Sequence, residues 1–272
     1  MIQKTFGIYS PNPQEGKLFM ELGKNHLAAW TKNEETAQFL SLELFQFTLA
    51  DAAQFDYTWQ HILQQSKLLN QTDKTPLIIL ENEECTTIPE DLLDQNLLMN
   101  HFSLMKNSLE RNLQIEHGYD IEVAVVNDLQ VNGLKELRTT FPAAETQHKY
   151  KEILRHLHSV STENLIKVYF YSSYFIAVVI KENQLQLIRH FDFQTPEDAL
   201  YYILLAIKQT GLPADTPVEA VGMIDTDSPL YKTLYRYISR FYLEEPGQSK
   251  FMTSGFQEFP LHYFSLYCFD SL

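Results

Sequence analysis

Residues able to do chemistry are sparse in this chain of 272 residues. Asp225, Asp227 and Ser228 crowd into IDTDSP just ahead of an apolar-periodic run. Two carboxylates there could hold a divalent ion. They serve a helix start equally well, since side-chain oxygens accept the amide hydrogens that a first turn leaves without partners. Capping is the simpler reading. His148, His156 and His158 have the chemistry of metal ligands, but on a helix the first two stand about 12 Å apart along the axis. His156 and His158 point to different sides, so the set reads as solvated histidines. Glu83 and Glu84 form a short acidic loop of the kind that faces solvent. No GxSxG, HExxH, paired Cys/His nucleophile or P-loop occurs.

Aromatic and basic residues offer a different chemistry. In the run 230–242, Leu230, Leu234, Ile238 and Phe241 form an apolar stripe flanked by Tyr231, Tyr235, Tyr242, Arg236 and Arg240. Tyr and Arg join a large contact area to a polar end, which is what anchors protein interfaces. The stretch therefore reads either as a docking surface for a protein partner or as tyrosines at the rim of a core.

The bulk composition restricts what these residues can serve. A formal charge of −14, with acids spread along the chain, opposes affinity for nucleic acid or anionic lipid. Two distant cysteines, Cys85 and Cys268, make a disulfide framework or a structural zinc site unexpected. No apolar run approaches the roughly 18–20 residues of a membrane span, and the start lacks a signal-peptide core. The expectation is a soluble cytoplasmic protein that binds neither nucleic acid nor membrane.

The elements that position these residues are stated twice. FQFTLADAAQ (45–54) and FDFQTPEDAL (191–200) present the same junction of strand to acid-opened helix. Before the first lie three strand-like runs, 17–22, 26–32 and 37–47, and before the second lie 165–172, 175–182 and 185–193. Their short links favour antiparallel meanders. Asp51 opens a helix toward Asn70, followed by a strand at 77–81, one long or two broken helices after Pro89, a buried strand at 121–127 and a helix at 134–141. In the second half, Pro196, Glu197 and Asp198 start a helix to about 210. A strand at 218–224, a helix at 230–242, a fifth strand at 250–254 and a helix at 260–269 follow. Each half reads βββαβαβα, an α/β unit with a mixed five-stranded sheet. The expected lobes are 17–142 and 165–272, joined by a mostly polar helical connector at 143–164. The run ALYYILLAI (199–207) has no polar stripe, so its helix is expected to be covered on most sides from within the chain.

A duplicated βββαβαβα unit, RNase H-like in each half, resembles the actin-like ATPase superfamily. TIPEDLL (87–93), FP (141–142) with His148 following, RHFDFQTPEDALYYILLAIKQTGL (189–212) and AVGMIDTDSPLYKTLYRYI (220–238) resemble an uncharacterised Bacteroidetes family, a domain of unknown function with that fold. The likeness spans roughly residues 17–270. It implies that in active members two glycine turns, between strands one and two of each half, cradle phosphates. A carboxylate beside each turn positions the metal, and a third glycine turn admits adenosine. Here the first turn is MELGKNH (20–26), which keeps Glu21 and Gly23 at the acid-x-glycine spacing with Lys24 beside them. The second, FYSSYF (170–175), has neither acid nor glycine and sets Tyr174 where a phosphate would lie. The third offers Gly222 alone. MELGKNH also reads as an ordinary hairpin whose glycine takes a positive φ.

The resulting expectation is a non-catalytic actin-like binding or scaffold module with a degenerate nucleotide site, no cofactor and a protein partner of unknown identity. The alternative is a divergent ATPase or small-molecule kinase that binds ATP and magnesium through Glu21, Gly23, Lys24 and Gly222. An RNase H-like nuclease would need several carboxylates at the ends of strands one and four, where Glu21 stands alone.

Overall fold

A computed structural model describes residues 2–48, 55–70, 72–105, 112–117, 122–158 and 163–268. The chain divides into two units, Met1–Arg155 with Ser249–Phe256, and His156–Gln248 with Gln257–Asp270.

In the first unit, β2 (Lys17–Leu22), β3 (His26–Lys32) and β4 (Phe39–Phe47) form the expected antiparallel meander, and β1 (Ile2–Ile8) adds antiparallel to β4. On the other side of β2 lie β5 (Leu77–Leu80) and β9 (Thr146–His148), both parallel, so the six-stranded order is β1-β4-β3-β2-β5-β9. The period of two along β2 sends Leu18, Met20 and Leu22 to one face. There they pack with Phe55, Trp59 and Ile62 of α1 (Phe55–Gln65) and Leu134 and Leu137 of α3 (Leu134–Thr140). The same alternation turns Glu21 to the opposite face, where α4 (Lys149–His158) brings Lys149 against it.

A second, three-stranded antiparallel sheet, in the order β6-β8-β7, is inserted between β5 and α3. It comprises β6 (Cys85–Pro89), β7 (Leu113–His117) and β8 (Val123–Asp128), and α2 (Gln95–Met105) packs Leu98 and Phe102 onto Val126. Without this insertion and β1 the unit reads βββαβαβα.

The second unit repeats the plan. β10 (Asn164–Phe170), β11 (Tyr174–Lys181) and β12 (Gln184–Asp192) form a meander, and β13 (Val218–Gly222) and β14 (Phe241–Leu243) run parallel beside β10, giving β12-β11-β10-β13-β14. Strand order and senses match β4-β3-β2-β5-β9 of the first unit, which establishes the duplicated actin-like architecture. α5 (Pro196–Thr210) begins at a capping box: Thr195 Oγ1 accepts from Asp198 N at 3.2 Å and Asp198 Oδ2 accepts from Thr195 N at 2.8 Å. α6 (Pro229–Tyr237) starts from Ser228, whose Oγ accepts from Tyr231 N at 3.1 Å.

Several sequence expectations are corrected. The first unit's main sheet has six strands rather than five. Its fifth repeat strand is 146–148, from the segment expected to be a mostly helical connector, while the expected strand 121–127 pairs in the small sheet. The run 121–127 carries an apolar strand signal and Thr146–His148, which is polar, carries none, so only long-range pairing decides which sheet takes each segment. α6 ends at Tyr237, and the fifth strand of the second sheet is 241–243 rather than 250–254. Leu234, Ile238 and Phe241 reach one core in either conformation, so their spacing does not separate a continuous helix from a helix followed by a strand. The closing helix is 3₁₀ over Leu261–Tyr267. Around Pro89 the helical stretch is broken into a 3₁₀ turn and α2, with 106–111 outside the described residues. Asp51, expected to open α1, also lies outside them. α5 buries Ala199, Ile203, Ala206 and Ile207, yet Tyr201 is 60% and Leu204 41% exposed, so the cover expected for 199–207 is incomplete.

Candidate functional site

The MELGKNH turn joins β2 to β3, and its carboxylate is wholly enclosed. Glu21 and Lys149 both have side chains with no solvent exposure, and Lys149 Nζ donates to Glu21 Oε2. His26 Nε2 lies 3.0 Å from Glu21 Oε1. Burial by itself raises the Glu21 carboxyl; the Lys149 ammonium and the His26 hydrogen bond outweigh it and hold the group below its ordinary value. The carboxylate is therefore ionised and gripped at both oxygens by the chain.

Gly23 has a local reason to be glycine, though not the expected one. Its φ is not positive, which corrects that reading. A Cβ at Gly23 would instead come within 2.1 Å of His26 Cε1. The missing side chain leaves room for the imidazole to fold back onto Glu21. Gly23 N donates to His26 O at 3.0 Å, so its amide is engaged in the hairpin. Lys24 is exposed at the tip.

Lys149 was not identified from sequence. A signal was available: Lys149, Ile153 and Leu157 stand at four-residue steps on one face of α4, and Ile153 and Leu157 are buried. A lysine on an apolar stripe needs a buried anion, and Glu21 supplies it from 128 residues away. His148, expected to be solvated, is fully buried. Its Nδ1 accepts from Tyr150 N at 3.1 Å and its Nε2 faces Asn82 O at 3.3 Å, a pairing of the neutral imidazole. His156 is half-buried, and the His158 side chain lies outside what is described.

The matching turn of the second unit joins β10 to β11. Tyr171 N donates to Tyr174 O at 2.9 Å. Their rings stack at 4.6 Å, and Tyr174 stacks again on His190 at 4.3 Å. Tyr174 is completely buried, and Ser172 and Ser173 are exposed.

Gly222 ends β13 with φ +93, where a Cβ would meet Phe170 O at 2.2 Å and Leu266 Cδ2 at 2.9 Å. The C-terminal 3₁₀ segment thus lies directly on this glycine. His262 of that segment donates Nε2–H to Ile224 O at 2.7 Å, while its buried Nδ1 has no hydrogen-bond partner among the described residues. Burial pulls the His262 pKa down against the opposing influence of that carbonyl, Glu245 and Asp225. Asp225, Asp227 and Ser228 form a turn and cap: Asp225 Oδ1 accepts from Asp227 N at 2.7 Å, and Ser228 Oγ donates to Asp225 O at 2.6 Å while capping α6.

The Tyr/Arg group does not share one helix face. Tyr231 is half-buried against the core, stacked on Tyr235 at 5.6 Å and touching Phe241 at 5.6 Å. Tyr242 stands on β14 and donates its hydroxyl to Glu219 Oε1 at 2.7 Å; burial and Glu219 push its pKa up to about 12. Tyr235 and Arg236 remain exposed on α6.

No helix among the described residues is long and apolar enough to cross a membrane. No curated protein matches the chain. Among solved structures, a protein of Bacteroides thetaiotaomicron VPI-5482 with an actin-like ATPase fold and unknown function matches with a TM-score of 0.72 at 15% identity, over 85% of this chain and 91% of that one. A chain of the PilM–PilN type IV pilus biogenesis complex matches with a TM-score of 0.59 at 12% identity, over 94% of this chain and 98% of that one. At these identities the likeness speaks to the fold. Residues 9–241 match the family described as "Protein of unknown function (DUF3822)", and the chain belongs to it.

Proposed function

We propose that this protein is a non-catalytic actin-like binding or scaffold module whose nucleotide-binding turns are degenerate. The observation that carries the reading is Lys149. The carboxylate at the position where active relatives place a metal-positioning acid already holds an internal ammonium on Oε2 and an imidazole on Oε1. A buried carboxylate satisfied in this way has no further need of a divalent cation, because the charge a metal would neutralise is already neutralised. The residues therefore do not fit magnesium-nucleotide chemistry.

Two further observations support the reading. The second turn carries a stacked Tyr171–Tyr174–His190 column rather than glycine amides directed at an anion. At the third, Leu266 occupies the space that Gly222 leaves open. Tyr235 and Arg236, with Tyr231 stacked on Tyr235, are the proposed contact points for a protein partner in the cytoplasm, and Tyr242, held by Glu219 on β14, is not on that helix face. A chain of similar fold occurs in the PilM–PilN complex, which illustrates that this architecture accommodates a partner protein.

Titration calorimetry of the full chain with ATP and magnesium tests the proposal. The expected result is no saturable heat up to about 1 mM nucleotide. Magnesium-dependent binding at micromolar strength, lost in Gly23→Val, would overturn it in favour of a divergent ATP-binding protein.

A further inference from the structure

The first unit contains a polar cleft of about 460 Å³ outside the Glu21 pair, walled by β7, β9 and the first turn of α4. Both strands are sheet edges, β7 of the small sheet and β9 of the large one. Side chains bridge them in place of a backbone ladder. Gln114 Nε2 donates to Thr146 O at 3.1 Å, and Glu116 Oε1 accepts from His148 N at 2.7 Å and Asn127 Nδ2 at 3.1 Å.

Each bridging side chain is fixed at one end and unfilled at the other. Gln114 Oε1 and Glu116 Oε2 are buried acceptors with no hydrogen-bond donor among the described residues. The Glu116 side chain is only 3% exposed, and Lys151 Nζ stands 3.6 Å from Oε2, beyond hydrogen-bond reach. Burial raises the Glu116 carboxyl against the amide, lysine and asparagine that oppose it, and a bound cation would offset that burial. Native interiors seldom leave such acceptors empty, so two in one cleft call for donors from outside the chain. Residues 114 and 116 alternate onto the same face of β7, with their Cβ atoms about 7 Å apart. Exposed Glu145 adds a second carboxylate to the wall against the single lysine.

A planar guanidinium spreads five N–H donors over a rigid fork and carries the complementary charge, whereas an ammonium offers its donors from one point. We infer that this cleft binds a small guanidinium-bearing cation, which donates to Glu116 Oε2 and Gln114 Oε1.

Agmatine and L-arginine, titrated calorimetrically into the full chain at up to about 10 mM, test the inference, with tetramethylammonium chloride as a cation of equal charge that lacks N–H donors. Agmatine should bind saturably and tetramethylammonium should not. Glu116→Gln keeps an oxygen for His148 N but turns an NH₂ toward the cleft, and should weaken agmatine by about tenfold or more. Lys151→Met removes the competing ammonium and should tighten it, so the inference stays testable if Glu116→Gln does not fold. Equal binding of tetramethylammonium, absence of saturation with either guanidinium compound (the cleft then holding water only), or weaker agmatine binding by Lys151→Met would overturn it. The outcome is independent of ATP, so it fails or stands apart from the non-catalytic reading.

Discussion

Replacing Lys149 by methionine keeps the length of the side chain and removes its charge, leaving Glu21 buried beside His26 without its ammonium. Taking one partner from a buried ion pair costs about 3–5 kcal/mol, since the other charge stays out of water without compensation. His26 Nε2 stays 3.0 Å from the carboxylate and keeps its hydrogen bond, so the loss should fall at the lower end, about 3 kcal/mol. For a chain of this size that corresponds to a fall in Tm of roughly 6–12 °C. The chain has two tryptophans, Trp30 and Trp59, and both are buried in the first unit, so their fluorescence during urea unfolding reports the unit that holds the pair. The pH dependence adds a signed test. In the wild type the Glu21 carboxyl lies below 4.5, so its contribution is fully present above 4.5 and is lost only as the pH falls further through the folded-state value. Without Lys149, burial raises the group, and the folded variant takes up a proton before the unfolded chain does. The variant should then gain stability as pH falls from about 7 to about 5 while the wild-type contribution from Glu21 stays level, narrowing the gap. Glu21→Gln combined with Lys149→Met should recover part of the loss through a coupling of at least about 1 kcal/mol. A cost below about 1 kcal/mol for Lys149→Met at neutral pH, or a gap that widens toward pH 5, would refute the account of a charge-neutralised pair.

Gly23→Ala should cost about 1–3 kcal/mol, because the new methyl displaces the imidazole that lies 2.1 Å from its position, and most of that cost should vanish in a His26→Ala background. Urea titrations of the four members of that cycle check it; an equal cost in both backgrounds would show that His26 is not the reason for the glycine. In the second unit, burial lowers the His262 pKa, so the unfolded chain takes the proton first and stability should decline as pH falls below 6.5. Hydrogen-exchange protection across Val218–Gly222, taken relative to the intrinsic rate at each pH, should decline over that range in the wild type. His262→Leu, which removes the bond to Ile224 O at a cost of about 1–3 kcal/mol, should exchange faster at neutral pH with a flatter pH dependence.

How much was legible follows from how local each cause is. The two meanders, the Thr195–Asp198 start of α5, the Ser228 cap of α6 and the duplication itself can be read from short windows, because turn chemistry, alternation and capping act between residues a few positions apart. Glu21 and Gly23 were found on spacing, and Gly23 then proved to be glycine for another reason, the close approach of His26. The tyrosine set was found on composition. Its division between an exposed helix face and a strand edge follows from α6 stopping at Tyr237, which a stripe consistent with both outcomes left undecided.

By itself, then, the order of residues determined the repeated α/β plan, the acid-x-glycine spacing in the first turn of the first meander, and the lack of glycine in the matching turn of the second. Tertiary structure alone decided that 146–148 rather than 121–127 completes the first large sheet, that the polar segment beginning there turns a lysine inward, and that this lysine meets Glu21. The physical reason is the range over which each interaction acts. Propensity and capping are carried along the chain, whereas strand pairing and the neutralisation of a buried charge require partners that folding brings together from 128 residues apart.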